Sequence, residues 1–592
     1  MEGLSIIAGR VWKTFLKGGK GVIRFMARQS GMTVWYILAL SAVTLVAWRF
    51  DGTPELSGHN FAQGVRSALI PALVLGVVRG LILICRPRMW RRLLAGGLTA
   101  AVTILSLAEI WLSFVLRTRW SDRIIRLIAD TGKSESGEFL QLYFLTPRSL
   151  GIVVGYLLLL RVMYVLLRNF SCRISARNGG YVAGSICCLL AAAGIVWGLQ
   201  PPENNYNALN SVNTANRLIW VSQLYGKSLA NVKALERTPR LADGHLREGY
   251  EAPERIVWVI GESDSRAHWS AYGYGLSTTP CIEAAIARGD VLLFEDVICF
   301  EPRTYRMMEI LFSPYVVTEP SRTYLTKPLT PMILRKAGYK VRLHDNQATL
   351  VKGDDQAEVG TGNFMNSWRL SHANFDYRNE RMYPYDADLF GAERDMLHDT
   401  VKQTLDIFHI NGQHFFAGNR YPERFGRFTA ADYPHRSDLS REEKEQVAAY
   451  DNATLYVDSL LLALSDELKG QDAILIYHPD HGEEMNDERH CSVRTLDSHK
   501  IPQAAPYVLE IPFMVFTTPE FRERHPELYA ALRKAASEKQ SLIYFSHFLL
   551  DLAGVESRYL KREYSPLAPE WCAPPRVVKE IGKYDVWIKK HR

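Results

Sequence analysis

The stretch AILIYHPDHGEE, Ala473 to Glu484, decides the fold. Its first half is a short apolar run closed by a proline, which reads as a buried strand. Its second half places Asp480, His481, Glu483 and Glu484 directly after that strand. Strands buried on both faces belong to largely parallel sheets covered by helices. In such sheets ligands gather beyond the carboxyl ends of the strands. A strand that ends on carboxylates and an imidazole therefore predicts an α/β domain with its chemistry at one sheet edge.

Moving outward, similar runs occur at IVWVI (256–260), VLLFEDV (291–297), KVRLH (340–344), LDIFHI (405–410) and IPFMVF (511–516). Helical spacing separates most of them, as from Gln446 to Leu468. The first run ends in Gly261, Glu262 and Ser263, and the fourth leads into HINGQH with His409 and His414. His499 precedes the last run, with His490 a competitor in the same loop. A lone Glu or His in such a place is usually structural. Three strand ends and the loop before a fourth run, each supplying an oxygen or imidazole ligand, jointly favour a metal site, and that mixed donor set suits zinc.

The first 200 residues differ in kind. Apolar runs near 32–48, 68–85, 94–116, 150–167 and 182–199 are each about long enough to cross a hydrocarbon core of ~30 Å as a helix. Arg79 and Arg161 interrupt two of them. Lys and Arg cluster before the first run, in the second connection and in the fourth, which puts those segments and the N-terminus in the cytoplasm. The expected organisation is a five-span membrane domain (1–199), a juxtamembrane connector with an amphipathic helix (200–255) and an exported domain (256–592). No cleavable signal is visible. The net charge of +7 lies largely in cytoplasmic loops, so it sets topology and calls for no nucleic-acid partner.

Cys281, Cys299, Cys491 and Cys572 fall in the exported part, where three complete pairings are possible. A Cys281–Cys299 bridge is the one that proximity suggests. Cys299 also opens CFEPRTYRMMEILFSP (299–314), a segment with the residues of a nucleophile loop. Arg303 and Arg306 in it read either as phosphate contacts or as solvent-facing charges.

GESDSRAHWSAYGYGLSTTP (261–280), FEPRTYRMMEILFS (300–313), HINGQHFFAGNRYPERFGRF (409–428), YDNATLYVDSLL (450–461) and DHGEE (480–484) together resemble the alkaline phosphatase and sulfatase superfamily. Within it they are similar to the membrane-anchored phosphoethanolamine transferases of Gram-negative bacteria. The resemblance implies a multi-span helical membrane domain in the inner membrane and a periplasmic alkaline phosphatase/sulfatase-like domain. It implies Zn²⁺ as cofactor, held by Glu262, Thr304, Asp480 and His481, with Thr304 as nucleophile. It places His409, His414 and His499 beside the substrate, with Arg303 a further substrate contact. The implied reaction moves phosphoethanolamine from phosphatidylethanolamine to Thr304 and then to an envelope glycan, with the chain acting as a monomer. GES followed by Ser265–Arg266, with DHGEE, looks closest to the branch that modifies core heptose of lipopolysaccharide; lipid A and periplasmic glucans stay open as acceptors.

A sulfatase activity would need Cys or Ser in C/S-x-P-x-R, whereas here Pro302 stands one place too late. A phosphoglycerol transferase of the same superfamily is the closer rival, because no motif encodes the headgroup.

Overall fold

The run RIVWVIG forms strand β1 (Arg255–Gly261), every residue of which is buried. Its side chains alternate between two cores. Ile256, Trp258 and Ile260 enter one, and Val257 and Val259 enter the other. Each such aliphatic side chain contributes roughly 1.5–3 kcal/mol by leaving water, so burial on both faces holds the strand at the sheet centre.

Around it stand β2 (Val291–Leu293), β3 (Lys340–Asp345), β4 (Tyr377–Arg378), β5 (Thr404–His409), β6 (Ala473–Pro479) and β7 (Met514–Thr517). The sheet order is β2-β7-β6-β1-β5-β3-β4. β1 pairs in parallel with β5 and β6, and β3 with β4 and β5, while β7 runs antiparallel to β6 and β2. The sheet is thus largely parallel, as the sequence implies.

The computed structural model describes residues 88–115, 144–175, 237–314, 316, 326–348, 363–414, 416–490 and 498–591, with Trp35, Ala39, Val78 and Ile82 besides. The chain divides into two compact units, Met1–Lys227 and Ser228–Arg592. In the first unit lie α1 (Arg88–Val115) and α2 (Pro147–Ser175). Within them, Arg88–Leu112 and Pro147–Leu167 are long and apolar enough to cross a membrane. The Trp111 indole donates to Ser149 Oγ at 2.6 Å, and Trp35 donates to the Leu160 carbonyl at 3.0 Å. The runs at 32–48, 68–85 and 182–199, and the connector helix at 217–235, lie outside the described residues apart from those single positions.

In the second unit α3 (Thr304–Leu311) packs Met307, Met308 and Leu311 into the core that holds Trp258. On the other face α4 (Arg441–Glu467) packs Val457, Leu461 and Leu464 against Val257 and Val259. Ser440 starts α4 with a capping box, its hydroxyl accepting from the Glu443 amide at 3.2 Å while Glu443 accepts from the Ser440 amide at 2.8 Å.

Two runs that read as single strands are each split. VLLFEDV supplies β2 and then Asp296–Ile298, and IPFMVF supplies Glu510–Ile511 and then β7. Asp296–Ile298 pairs with Glu510–Ile511 on one side and with Lys539–Ser541 on the other, in a separate small sheet. Both runs change sheet at the same level, where the Phe294 and Phe513 rings pack 4.6 Å apart and the Phe294 amide donates to the Phe513 carbonyl. A shared corner of this kind depends on the partner strand, which no single run encodes.

The suggested Cys281–Cys299 bridge is corrected by the structure: both are free thiols, as is Cys572. Cys281 heads the helix Pro280–Arg288, where its amide donates to Asp458, whereas the Cys299 thiol lies 3.5 Å from the Val508 carbonyl. Eighteen residues of separation place the two on different elements rather than side by side. Cys491 lies outside the described residues.

Candidate active site

Chemistry collects where β1, β6, β5 and β3 end. Glu262 follows β1, and Asp480 and His481 follow β6 in parallel register with it. All three are completely buried. One ligand atom from each lies within 4.8 Å of the others. His481 Nε2 is 3.1 Å from Asp480 Oδ2 and 3.5 Å from Glu262 Oε1.

Local backbone geometry aims these groups. Ser263 sits at φ +56°, a left-handed conformation that costs a non-glycine residue energy and is kept where contacts repay it. Here its amide donates to Asp480 Oδ1 at 3.3 Å, its hydroxyl to Glu262 Oε1 at 2.6 Å, and its carbonyl accepts from Tyr450 at 2.6 Å. His481 Nδ1 lies 3.0 Å from the Gly482 carbonyl, which can only accept, so Nδ1 carries the proton. Its Nε2 lone pair is then presented to the two carboxylates. Gly482 is required beside it, because a Cβ would stand 2.1 Å from the Tyr507 carbonyl.

Thr304 begins α3 and reaches this group from the opposite core. Its hydroxyl lies 3.1 and 3.3 Å from the two Glu262 oxygens and 3.3 Å from His481 Nε2. Two carboxylates, an imidazole nitrogen and a hydroxyl thus converge, a set that fits zinc in donor type. The first backbone N–H groups of α3 add a partial positive charge at the same place.

The other residues singled out by sequence fall as follows. His409 ends β5, buried, with Nδ1 at 3.1 Å from Asp345 Oδ1; its Nε2 has no hydrogen-bond partner among the described residues. His414 is half-buried one residue past Gln413, whose amide donates to the Glu262 carbonyl at 3.1 Å. His499 is buried in the turn Ser498–Lys500, tied down through Ser498, Arg489 and the buried Glu484. His490 instead is exposed and pairs with Glu443 at 3.0 Å. Arg303 is buried against Glu301, which Lys579 also reaches at 3.0 Å. Burial alone would raise the Glu301 carboxyl, yet Arg303, Lys579 and Arg306 hold it below its ordinary range. The Cys299 thiol is pushed well above its usual value by burial, so it stays protonated and non-nucleophilic.

Three residues that support the site were missed from sequence. Asp345 ends β3, orients His409 and accepts from Arg378 at 2.8 Å. Gln347 donates to Glu262 at 3.3 Å and to the Ile410 carbonyl at 2.8 Å. Tyr450 of α4 bridges Ser263 and Ser265. The strand-end rule, extended one residue past KVRLH, would have found the first.

Phosphoethanolamine transferase EptC of Escherichia coli is 28% identical over 320 residues, covering 54% of this chain and 53% of that protein. The chain therefore matches about half the length of these curated relatives. The solved C-terminal periplasmic domain of E. coli EptC in complex with Zn is 25% identical with a TM-score of 0.50, covering 58% of this chain and 96% of that one. The integral membrane lipooligosaccharide phosphoethanolamine transferase A of Neisseria meningitidis shares the fold at 17% identity, with a TM-score of 0.58 over 94% of this chain and 99% of that one. The sulfatase family profile matches residues 254–555, just over half of the chain, which takes in the sheet and every metal-site residue described above. The chain belongs to the sulfatase family.

Proposed function

We propose that this chain transfers phosphoethanolamine from phosphatidylethanolamine to a cell-envelope glycan, with the phosphorylated heptose of the lipopolysaccharide core as first choice. The proposed setting is the bacterial inner membrane, crossed several times, with residues 256–592 in the periplasm. The observation that carries the reading is the Thr304 hydroxyl, 3.1 Å from Glu262 and 3.3 Å from His481 at a helix N-terminus. The segment opening on Cys299 does not have the C/S-x-P-x-R spacing of a sulfatase nucleophile, and the run that has it, Cys572–Arg576, is exposed at Cys572 and lies past the family match, so this reading gives the family's chemistry to Thr304. The relatives named phosphoethanolamine transferase support the headgroup, and the Zn complex among them supports the metal.

Bound by Glu262, Asp480, His481 and Thr304, zinc would lower the pKa of the hydroxyl and offset charge on the phosphoryl oxygens. The Thr304 hydroxyl lies within hydrogen-bond reach of both Glu262 oxygens and of His481 Nε2, so its proton has an acceptor as the oxygen turns to phosphorus. As the Thr304–phosphorus bond forms, the hydroxyl proton passes to Glu262, to return when Thr304 is released in the second step, and the bond from phosphorus to the diacylglycerol oxygen breaks. A histidine among His409, His414 and His499 gives that oxygen its proton. In the second step the same group accepts the acceptor hydroxyl's proton, and the acceptor oxygen displaces Thr304 from phosphorus. Asp345 keeps His409 in the tautomer with Nε2 available for such work.

The test uses the full chain with ethanolamine-labelled phosphatidylethanolamine or glycerol-labelled phosphatidylglycerol, followed by mass spectrometry of the peptide containing Thr304. Label from the ethanolamine donor is expected. Label from phosphatidylglycerol alone would replace this reading with a phosphoglycerol transferase.

A further inference from the structure

The residues just before Thr304 are held by the far end of the chain. Glu301 is completely buried, and three cations meet its carboxylate. Arg303 contacts Oε1, Lys579 Nζ stands 3.0 Å from Oε2, and Arg306 lies 3.9 Å from Oε2. Arg306 also pairs with Glu309, and Glu580 beside Lys579 is engaged by Lys500. Three cations therefore share two carboxylates, which leaves one positive charge in excess next to Thr304.

Folding is what brings Lys579 there. It follows Val577–Val578, which pairs antiparallel with Gly582–Lys583. Its backbone amide donates to the Phe300 carbonyl at 3.1 Å. The helix Tyr584–His591 then buries Tyr584 and Ile588 in the core that also takes Met307 and Met308 of α3. Both sides of the Lys579–Glu301 pair are thus anchored on the same core. Lys579 lies past the stretch that the family profile covers.

The charge balance gives this pair a role. Arg303 is buried, directly before Thr304, at the N-terminus of α3. Without Lys579 the two arginines and the two glutamates would balance, and the excess charge would vanish. Away from bulk water a charge acts more strongly than at an exposed surface. A positive charge held beside Thr304 suits the anionic phosphoryl group that the threonine would attack.

We propose that Lys579 is a positioning residue for phosphoryl transfer: by sharing Glu301, it leaves Arg303 a net positive charge to offer the phosphoryl oxygens at Thr304. The proposal rests on the threonine-transferase reading given above. Four forms of the full chain, each with zinc, test it: wild type, Lys579→Met, Lys579→Arg, and the double variant Glu301→Gln/Lys579→Met, which removes an anion and a cation together. One readout is the labelling of Thr304 from ethanolamine-labelled phosphatidylethanolamine vesicles. The other is affinity for inorganic phosphate, measured by calorimetry. In Lys579→Met, kcat/KM for labelling and phosphate affinity should each fall about tenfold. Lys579→Arg and the double variant should both return to within about threefold of the wild type. A purely structural ion pair predicts the opposite for the double variant, which would sit as low as Lys579→Met or lower. That outcome, or an unchanged Lys579→Met, would overturn the proposal. A wild type that binds phosphate in the expected pattern yet takes no label would sink the transferase reading and leave the charge assignment of Lys579 standing.

Discussion

At the scale of single residues, function hangs on atoms that the backbone places within hydrogen-bond reach. Thr304→Ala removes the oxygen that would become phosphorylated, so covalent labelling vanishes and transfer drops by about a thousandfold or more. Thr304→Ser keeps the oxygen and retains measurable label. Intact-protein mass spectrometry after incubation with the lipid donor checks both. Ser263→Ala removes the hydroxyl that braces Glu262 at 2.6 Å. Losing such a brace on a ligand typically costs roughly 10–100-fold in metal affinity, which zinc titration against a competing chelator would read. Chelation of the full chain should abolish transfer and added zinc should restore it. Glu262, Asp480 and His481 were legible in the sequence because each follows a recognisable strand. Asp345 and Gln347 were not, because neither belongs to a motif and each matters only through a side chain from another strand.

At the scale of elements, loops stay where buried polar networks pin them. His268 is buried, with Nδ1 2.6 Å from Asp451 of α4 and Nε2 3.2 Å from Asp487 in the loop after β6. Tyr274 and Tyr433 donate to Asp451, Tyr450 packs edge-on to the imidazole, and Arg436 donates to the backbone carbonyl of Asp487. Burial alone would push this imidazole down, but Asp487 and Asp451 outweigh it and hold it up at about 10. That lies above the ordinary 6.5, so folding favours the protonated ring. Its stabilisation is complete below about pH 6.5 and is lost as pH rises through about 10. His268→Gln leaves the buried Asp451 and the half-buried Asp487 without their cation and should cost about 3–5 kcal/mol at neutral pH. Urea denaturation of the unit from Ser228 onward across that window should show the wild type losing stability and the variant changing far less. Nothing in GESDSRAHWSAY marks His268 as special. Its partners lie 183 and 219 residues away, so the network exists only once the sheet has formed.

At the scale of the whole chain there are two compact units, and the first holds, among its described residues, two helices long and apolar enough to cross a membrane. The unit from Ser228 onward contains the complete seven-stranded sheet and both covering helices. Expressed alone, it should fold with the secondary structure seen here by circular dichroism and bind zinc. Given a donor embedded in vesicles, it should turn over far more slowly than the full chain, since nothing holds it at the bilayer surface. Comparable rates for the two would remove the anchoring role from residues 1–227. Order along the chain was enough to give the α/β class of the second unit, the sheet edge where the candidate site residues gather and the apolar character of the first 200 residues. Those properties follow from hydrophobic runs and from the residues that end them, which are local. The shared corner at Phe294 and Phe513, the free thiols, and the bracing by Asp345, Gln347 and Tyr450 came only with the folded structure. Each of these depends on groups far apart in the chain meeting in a buried space, where unpaired polar atoms are costly and their partners must be supplied by the fold.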